Sequence, residues 1–368
     1  MSKPLRPKGS VKHAVTYFES LKSKNPPSVA SSESREDAFS RVTPSEAASE
    51  QLSPSAWAQH DGRSLLHTVC FVPDLAAAIH FCDRLLGLEV LYWGAAVEEH
   101  LKPCAVVGKG PDKTSFTMQL LEKPDSSSEA DDDFGHFSIA VRSIDTALRR
   151  HRRDCGGAAD GSAGFGESTH VQLAPYGTVM DEITGVIRVV NRNMDKLGFI
   201  CGPHGYTWAL QELQKGSCQP AIGQVMLLVS NLQRSVDFYV RVLGMTLFTQ
   251  VASIDGQLRM AQLGFGEQPG SSTFIELREK GGPINRGQGY VRTSISTCNV
   301  KRTAEDIKKA GGVILRETSM RTLKGQLAPI CETQDPDGWK FAFIDDLDYW
   351  RDVNEMNTLG GPSGDAHF

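Results

Sequence analysis

The chain lacks any apolar run near the roughly 18 residues that a membrane-spanning helix requires. Its 368 residues are 40% hydrophobic and 23% charged, values ordinary for a globular protein. It also lacks a block of Lys and Arg, and its net charge is only −5. With no surface to track phosphates, nucleic acid is not an expected partner, and neither is a membrane. There is no C-x-x-C pair and no zinc-finger spacing among the eight cysteines. Scattered cysteines of this kind read as reduced thiols inside a cell. The N-terminus has no apolar signal segment, and Glu19, Glu33, Glu36, Asp37, Glu46 and Glu50 make it too acidic for a typical mitochondrial presequence. The expected location is the cytoplasm, with the mitochondrion as the alternative.

Residues 1–60 are rich in Ser, Pro, Ala and Glu and poor in aromatics after Phe39. Such a composition buries too little apolar surface to offset its ordering entropy, so a disordered tail is expected. Within it, Val11, Ala14, Val15, Phe18 and Leu21 recur at helical spacing behind Ser10, a candidate N-cap. Two readings of this 11–23 amphipathic helix stay open: a docking element for a protein partner, or a segment that packs on its own domain.

What the chain does contain is a long internal repeat. Residues 65–91 and 222–248 both run apolar strand, V-x-[DN]-L, helix, L-G-[LM], apolar strand. Val72, Asp74, Leu75, Phe81, Leu86 and Gly87 match Val229, Asn231, Leu232, Phe238, Leu243 and Gly244 at a constant offset. A repeat of this length is one folding unit used twice. Asp74 stands where an N-cap belongs and Gly87 where a helix-ending glycine belongs. Two further units start at 134–141 and 290–297, each followed by a helix and a Gly-Gly pair. The expected class is α+β, with two tandem domains, 61–192 and 221–346, each of two βαβββ units. Residues 193–220, with Gly202, Pro203, Gly205, Gly216 and Pro220, read as a linker, and 347–368 as a C-terminal helix and tail. The acidic stretch 124–133 reads as a solvated loop. Asp335-Pro336-Asp337-Gly338 reads as a tight turn with a structural role.

Paired units of this order, with His/Gln-x-x-x-x-V-x-D/N-L, F-C/Y-x-x-x-L-G and D-P-D-G-W-K over residues 65–345, resemble the vicinal oxygen chelate superfamily, whose founding enzyme is glyoxalase I. The resemblance implies units that curve into open barrels around a divalent metal held by four strands. It also implies that units of one domain face units of the other. Carried onto this chain, one cavity would hold His136, Gln224 and Glu276, with Arg188 or Val189 in the fourth position. The other would hold His67, Gln119, Arg292 and Ala342. The spacing from His67 to Gln119 equals that from Gln224 to Glu276.

Taken singly, each residue has a plainer reading: a strand Gln as polar lining, a strand His as a satisfied core residue. As a set, Gln, Glu and His suit zinc, nickel, manganese or magnesium. The His67 cavity carries a guanidinium, which opposes a divalent cation, so no metal is expected there. Arg292 would either hold an anionic ligand or pair with a local carboxylate.

Glyoxalase I chemistry needs a metal and a tuned base, which the resemblance places as a glutamate beyond the D-P-D-G turn. Ala342 stands there in one site, leaving Glu276 as the one candidate catalytic carboxylate. Three functions therefore remain in view. One is small-molecule binding with weak or altered lyase-type activity. Another is lactoylglutathione lyase activity, with glutathione entering only as part of the substrate. The last is a non-catalytic scaffold. Tandem domains pair internally, so a monomer is expected.

Overall fold

The computed structural model describes residues 39–41 and most of 53–349, leaving out 97–101, 110–114, 124–132, 148, 150–178, 182–185, 189–196, 203–204, 213–220, 254–258, 267–271, 322–326, 346 and 348. The structure is an α+β fold of two open sheets, with four repeats of one unit. The first unit runs β2 (Leu65–Val72), α2 (Leu75–His80), β3 (Glu89–Ala96), β4 (Lys102–Gly108) and β5 (Thr117–Glu122). The third runs β11 (Ile222–Val229), α3 (Leu232–Arg241), β12 (Thr246–Ser253), β13 (Arg259–Gly264) and β14 (Phe274–Glu279). The fourth runs β15 (Tyr290–Ser296), α4 (Val300–Lys309), β16 (Ile314–Arg321), β17 (Leu327–Gln334) and β18 (Lys340–Ile344). The expected caps are in place. Asp74 accepts from the Ala77 amide and Asn231 from the Arg234 amide, each at 2.9 Å. A π-helical turn, Phe81–Leu86, continues α2 and is capped by Gly87 at φ +68°, while Gly244, shortly past the end of α3, has φ +78°, a region that favours glycine.

The second unit departs from expectation. It contains β6 (Phe134–Val141), β7 (Val179–Asp181), β8 (Val186–Arg188), β9 (Leu197–Cys201) and β10 (Thr207–Glu212). Residues 193–220 are therefore not simply a linker. They supply β10, which pairs in parallel with β6, and β9, which pairs antiparallel with β10. The turn between them is the counterpart of D-P-D-G. Gly205 donates to the Gly202 carbonyl at 3.0 Å, as Gly338 donates to Asp335 at 2.9 Å. Gly205 and Gly338 share φ values of +85° and +88°. A second signature agrees. Glu212 at the end of β10 accepts from the Ile144 amide at 3.2 Å, just as Glu122 and Glu279 accept from the Leu75 and Leu232 amides.

The units pair across the two halves of the chain. One sheet has the order β16-β17-β18-β15-β2-β5-β4-β3, joining units four and one. The other continues β12-β13-β14-β11-β6-β10-β9-β8-β7, joining units three and two. Its outer edge is β1 (Phe39–Arg41), antiparallel to β12. One continuous apolar core draws on both sheets, from Cys70 and Val72 through Phe137 and Trp208 to Tyr239, Trp339 and Phe341. The D-P-D-G turn is structural, as expected. Asp335 accepts from the Asp337 and Trp339 amides at 2.9 and 2.8 Å, while Asp337 accepts from the Ser230 amide at 3.0 Å.

The expectation of disorder through residue 60 also fails in part. Residues 39–41 are a strand, and α1 (Ala56–His60) is a capped helix. Trp57 donates to Thr303 at 3.0 Å and Ser55 to Asp306 at 2.6 Å. The 11–23 segment lies outside the described residues, and so does the C-terminal tail beyond Tyr349. Among the described residues no helix is long and apolar enough to cross a membrane. Cys82, Cys104 and Cys331 are buried thiols in no disulfide, each pushed up to about 12 by burial.

Just after α1, Asp61 and Arg63 form an ion pair at 2.9 Å with both side chains fully buried. Asp61 also accepts from Thr297 and the Cys298 amide at 2.7 and 2.9 Å, and Arg63 donates to the Leu243 carbonyl at 2.9 Å. Burial alone would raise the Asp61 pKa, but Arg63 and these donors outweigh it and hold it below the ordinary aspartate value. Asp61→Ala should therefore cost on the order of 3–5 kcal/mol in urea unfolding, because it leaves buried Arg63 with only the Leu243 carbonyl and the more distant Asp306 carboxylate at 3.8 Å. In the parent, this contribution is present above the ordinary aspartate pKa and lost as pH falls through the lower folded value. Equal acid sensitivity in parent and variant would overturn that assignment.

Candidate functional site

Strand register places the candidate residues without reference to any ligand. In each unit the first strand runs parallel to the last, and the residue two beyond the first candidate pairs with the second. Val69 faces Gln119, Met226 faces Glu276, and Ser294 faces Ala342. In unit two, Ser138 faces Ala209. Paired positions share a sheet face, and so do positions two apart along a strand. The register therefore yields two quasi-equivalent four-position sets: Gln224, Glu276, His136 and Ala209 on the ten-stranded sheet, and His67, Gln119, Arg292 and Ala342 on the eight-stranded one.

The fourth position of the first set is thus Ala209, not Arg188 or Val189. Arg188 lies on β8, paired with Val179 in a hairpin that β9 and β10 separate from β6. Val189 lies outside the described residues. The sequence D-E-I-T-G at 181–185, just before Arg188 and Val189, imitates D-P-D-G in letters. The segment Gly202-Pro203-His204-Gly205 supplies the matching hydrogen bonds, and Tyr206 and Trp208 behind it match Trp339 and Phe341.

On the ten-stranded sheet, His136 pairs with Met226, which pairs with Glu276, which pairs with Gln262. The four form a row across four strands. A β-bulge beside Met226 lets Gly135 oppose its side chain. A Cβ on Gly135 would stand 2.2 Å from Met226 Sδ, so this close approach requires glycine. Glu276 is 3% exposed. Its Oε1 accepts from Arg278 Nε at 2.6 Å and its Oε2 from Gln262 Nε2 at 3.2 Å. Burial alone would raise the Glu276 pKa. The charges of Arg278 and His136, with the hydrogen bonds from Gln262 and Arg278, hold it below the ordinary value instead. His136 is pushed down to about 4, mainly by burial and further by Arg278, against the pull of Glu276. The face thus offers an ionised carboxylate, a neutral imidazole and the Gln224 amide two residues from Met226.

These protonation states are the ones a divalent cation needs from its ligands. In donor chemistry Gln224, Glu276 and His136 suit such an ion, but the Arg278 guanidinium already holds one Glu276 oxygen at 2.6 Å and opposes a divalent cation. Among the described residues no third His, Cys, Asp or Glu joins His136 and Glu276. Arg278 and Gln262 were not anticipated from the sequence. The spacing of Glu276 and Arg278, two apart on a strand, was the available signal.

The eight-stranded face is different. Arg292 pairs with Glu332 at 3.3 Å, and Arg316 approaches the same carboxylate at 3.4 Å. The local-carboxylate reading of Arg292 therefore describes the structure. His67 donates to or accepts from Ser294 Oγ through Nε2 at 3.1 Å, and burial and then Arg292 push it down to about 3. Over its ring lies Tyr349, from a helical segment after β18, with centroids 4.5 Å apart and planes 9° from parallel. The Tyr349 hydroxyl bonds Thr117 Oγ1 at 2.5 Å. Its ring packs against the Leu66, Ile330, Ala342 and Ile344 cluster and the Leu91 and Val106 pair. The chain's own C-terminal segment, which the sequence reads as a helix and tail, thus packs over His67 on this face.

Paired βαβββ units joined in two sheets, each with a four-position face, define a tandem open-sheet protein. Comparison with known proteins agrees. The model of the glyoxalase/bleomycin resistance protein/dioxygenase superfamily matches residues 221–343. The lactoylglutathione lyase of Escherichia coli O157:H7 is 34% identical over 128 residues, covering 34% of this chain and 93% of that relative. The probable chloroplastic lactoylglutathione lyase of Arabidopsis thaliana is 29% identical over 304 residues, 81% of this chain and 77% of that relative. Crystalline glyoxalase I from Zea mays superposes with a TM-score of 0.63 at 26% identity, covering 82% of this chain and 99% of the maize protein. The chain belongs to the glyoxalase/bleomycin resistance protein/dioxygenase superfamily.

Replacing Tyr349 with Ala should cost on the order of 3 kcal/mol, the usual penalty for emptying an aromatic site. It should also open a phenol-sized space beside His67 and Thr117. Millimolar phenol should then raise the melting temperature of Tyr349→Ala and leave the parent unchanged. A variant indifferent to phenol would mean that the ring does not fill this site.

Proposed function

We propose that this chain is a small-molecule-binding glyoxalase-fold protein with a partial divalent-metal site at Gln224, Glu276 and His136, and with lyase-type chemistry weaker than or different from that of a lactoylglutathione lyase. The observation that carries this reading is the register that puts Ala209 and Ala342 at both fourth positions. A methyl group can neither bind a metal nor move a proton, and proton transfer at carbon is the step that a positioned base accelerates. Among the described residues Glu276 is the remaining carboxylate on the face, and Arg278 and Gln262 already engage both its oxygens. A bound divalent ion would supply Lewis acidity at this face. The second reading, a lactoylglutathione lyase acting on the methylglyoxal–glutathione hemithioacetal, draws support from relatives that carry that name over most of this chain.

Metal analysis and turnover separate the two. Gently purified protein should retain zinc, nickel or manganese, and Glu276→Gln should lose it; less than about a tenth of an ion per chain in the parent would sink the metal site, since preorganised ligands hold their ion. Hemithioacetal turnover should be slow in the parent and rise in Ala209→Glu, which restores a carboxylate at the fourth position. Parent turnover in the ordinary enzymatic range, kcat of about 1–10³ per second, would establish the second reading.

A further inference from the structure

Asp335, which opens the D-P-D-G turn of the fourth unit, is 3% exposed. Its Oδ1 accepts from the Asp337 and Trp339 amides, and its Oδ2 accepts from the Tyr239 hydroxyl of α3 at 3.2 Å. Each of these donors is neutral. The other titratable groups around the turn are engaged elsewhere. Asp337, on the turn itself, takes the Ser230 amide and hydroxyl and the Arg234 guanidinium, the last at 3.1 Å. Tyr290, from β15, donates its hydroxyl to Thr293 Oγ1 at 2.9 Å. Arg286, ahead of β15, donates to the Gly338 carbonyl at 2.8 Å. Lys340, on β18, is exposed. Among the described residues, three sheltered acids thus share one corner, Asp335, Asp337 and Tyr239, and the cation bonded there, Arg234, reaches Asp337.

We infer that the D-P-D-G turn is a pH-responsive joint between units three and four, docked most firmly on α3 while Asp335 is protonated and less firmly once it ionises. A protonated Asp335 keeps every contact: Oδ1 still accepts from both amides, and the Oδ2 proton is donated to the Tyr239 oxygen. An ionised Asp335 keeps the same bonds but puts a charge into a buried corner, with no cation bonded to it and with Asp337 beside it. Burial and then Asp337 push its pKa up to about 7, against the Trp339 and Asp337 amides and the Tyr239 hydroxyl. Tyr239 lies well above the ordinary tyrosine range, by burial first and then by Asp335, so it stays a neutral partner. A carboxyl raised in the docked state stabilises docking fully below the ordinary aspartate range, and that contribution is lost as pH rises through the docked value. The turn also grips the end of β11, the strand that carries Gln224, through Asp337 on the Ser230 amide and Trp339 on the Leu228 carbonyl.

The test is amide hydrogen exchange of the full-length protein between about pH 5 and 8, read by NMR at Asp337, Gly338 and Trp339 and corrected for the intrinsic rate. These three amides all bond to Asp335, so their exchange reports opening of the turn. In the parent, protection should fall by about tenfold per pH unit from pH 5 toward 7 and level off above it, as the release of one proton on opening requires. Asp335→Asn, whose amide cannot ionise, should show protection independent of pH across this range. Tyr239→Phe removes a donor that favours the carboxylate, so its fall should continue to higher pH than in the parent. That variant carries the test if Asp335→Asn does not fold. Parent protection that stays flat or rises with pH, or an equal slope in the parent and Asp335→Asn, would overturn the joint. A Tyr239→Phe profile that levels off no higher than the parent's would overturn it as well.

Discussion

Two antiparallel strand pairings hold this molecule's logic together: β6 with β11, and β2 with β15. Each joins the first strand of a unit from one half of the chain to the first strand of a unit from the other. Because a site in this architecture takes residues from both partners, neither half of the chain can build one alone. His136 comes to Glu276 only through Met226 on the intervening strand. His67 meets Arg292 and Ala342 only because β15 lies beside β2. The core obeys the same constraint, since Trp339 of the fourth unit donates to the Leu228 carbonyl of the third at 2.9 Å. The Asp61–Arg63 network ties the start of the first unit to Thr297, Cys298 and Leu243 in the other half.

Given one backbone plan used twice, side chains decide what each face becomes. The eight-stranded face is filled from within, with Tyr349 lying flat on His67 while Arg292 is engaged by Glu332. Both faces carry an arginine against a glutamate, but by different routes. Arg278 is two residues from Glu276 on one strand, whereas Arg292 reaches Glu332 from another strand of its own unit. Both faces also carry a buried imidazole and a glutamine amide, His136 with Gln224 and His67 with Gln119, but only on the eight-stranded face does Tyr349 stack on the imidazole. The asymmetry is chemical, and the fold underneath is nearly the same.

Much of this was legible in the sequence. The repeat from Val72 to Val229 gave the unit, Asp74 and Asn231 marked its helix starts, and Gly87 and Gly244 their ends, because each residue type answers a local backbone demand. Candidate positions carried over from a family resemblance landed on mutually consistent register pairs. The second unit was not legible. Its last two strands sit in a Gly- and Pro-rich stretch whose composition imitates a linker, while the earlier letters D-E-I-T-G imitate the D-P-D-G landmark. Parallel pairing of β10 with β6 is a long-range contact, and local pattern carries no trace of it. Tyr349 was hidden for the same reason, since its partners lie up to the far end of the chain in Leu66 and His67.

Charge accounting explains why a retained fold need not retain its chemistry. Two unit charges about 4 Å apart interact by about 4 kcal/mol at an effective dielectric near 20, so an arginine beside a glutamate in a sheltered site resists any other cation strongly. A second carboxylate at the fourth position would offset that resistance. In this chain the position is Ala209, and β10 holds it directly opposite Ser138. The ten-stranded face is therefore short of one negative charge for a dication and of one base for proton transfer, and a single absent side chain accounts for both.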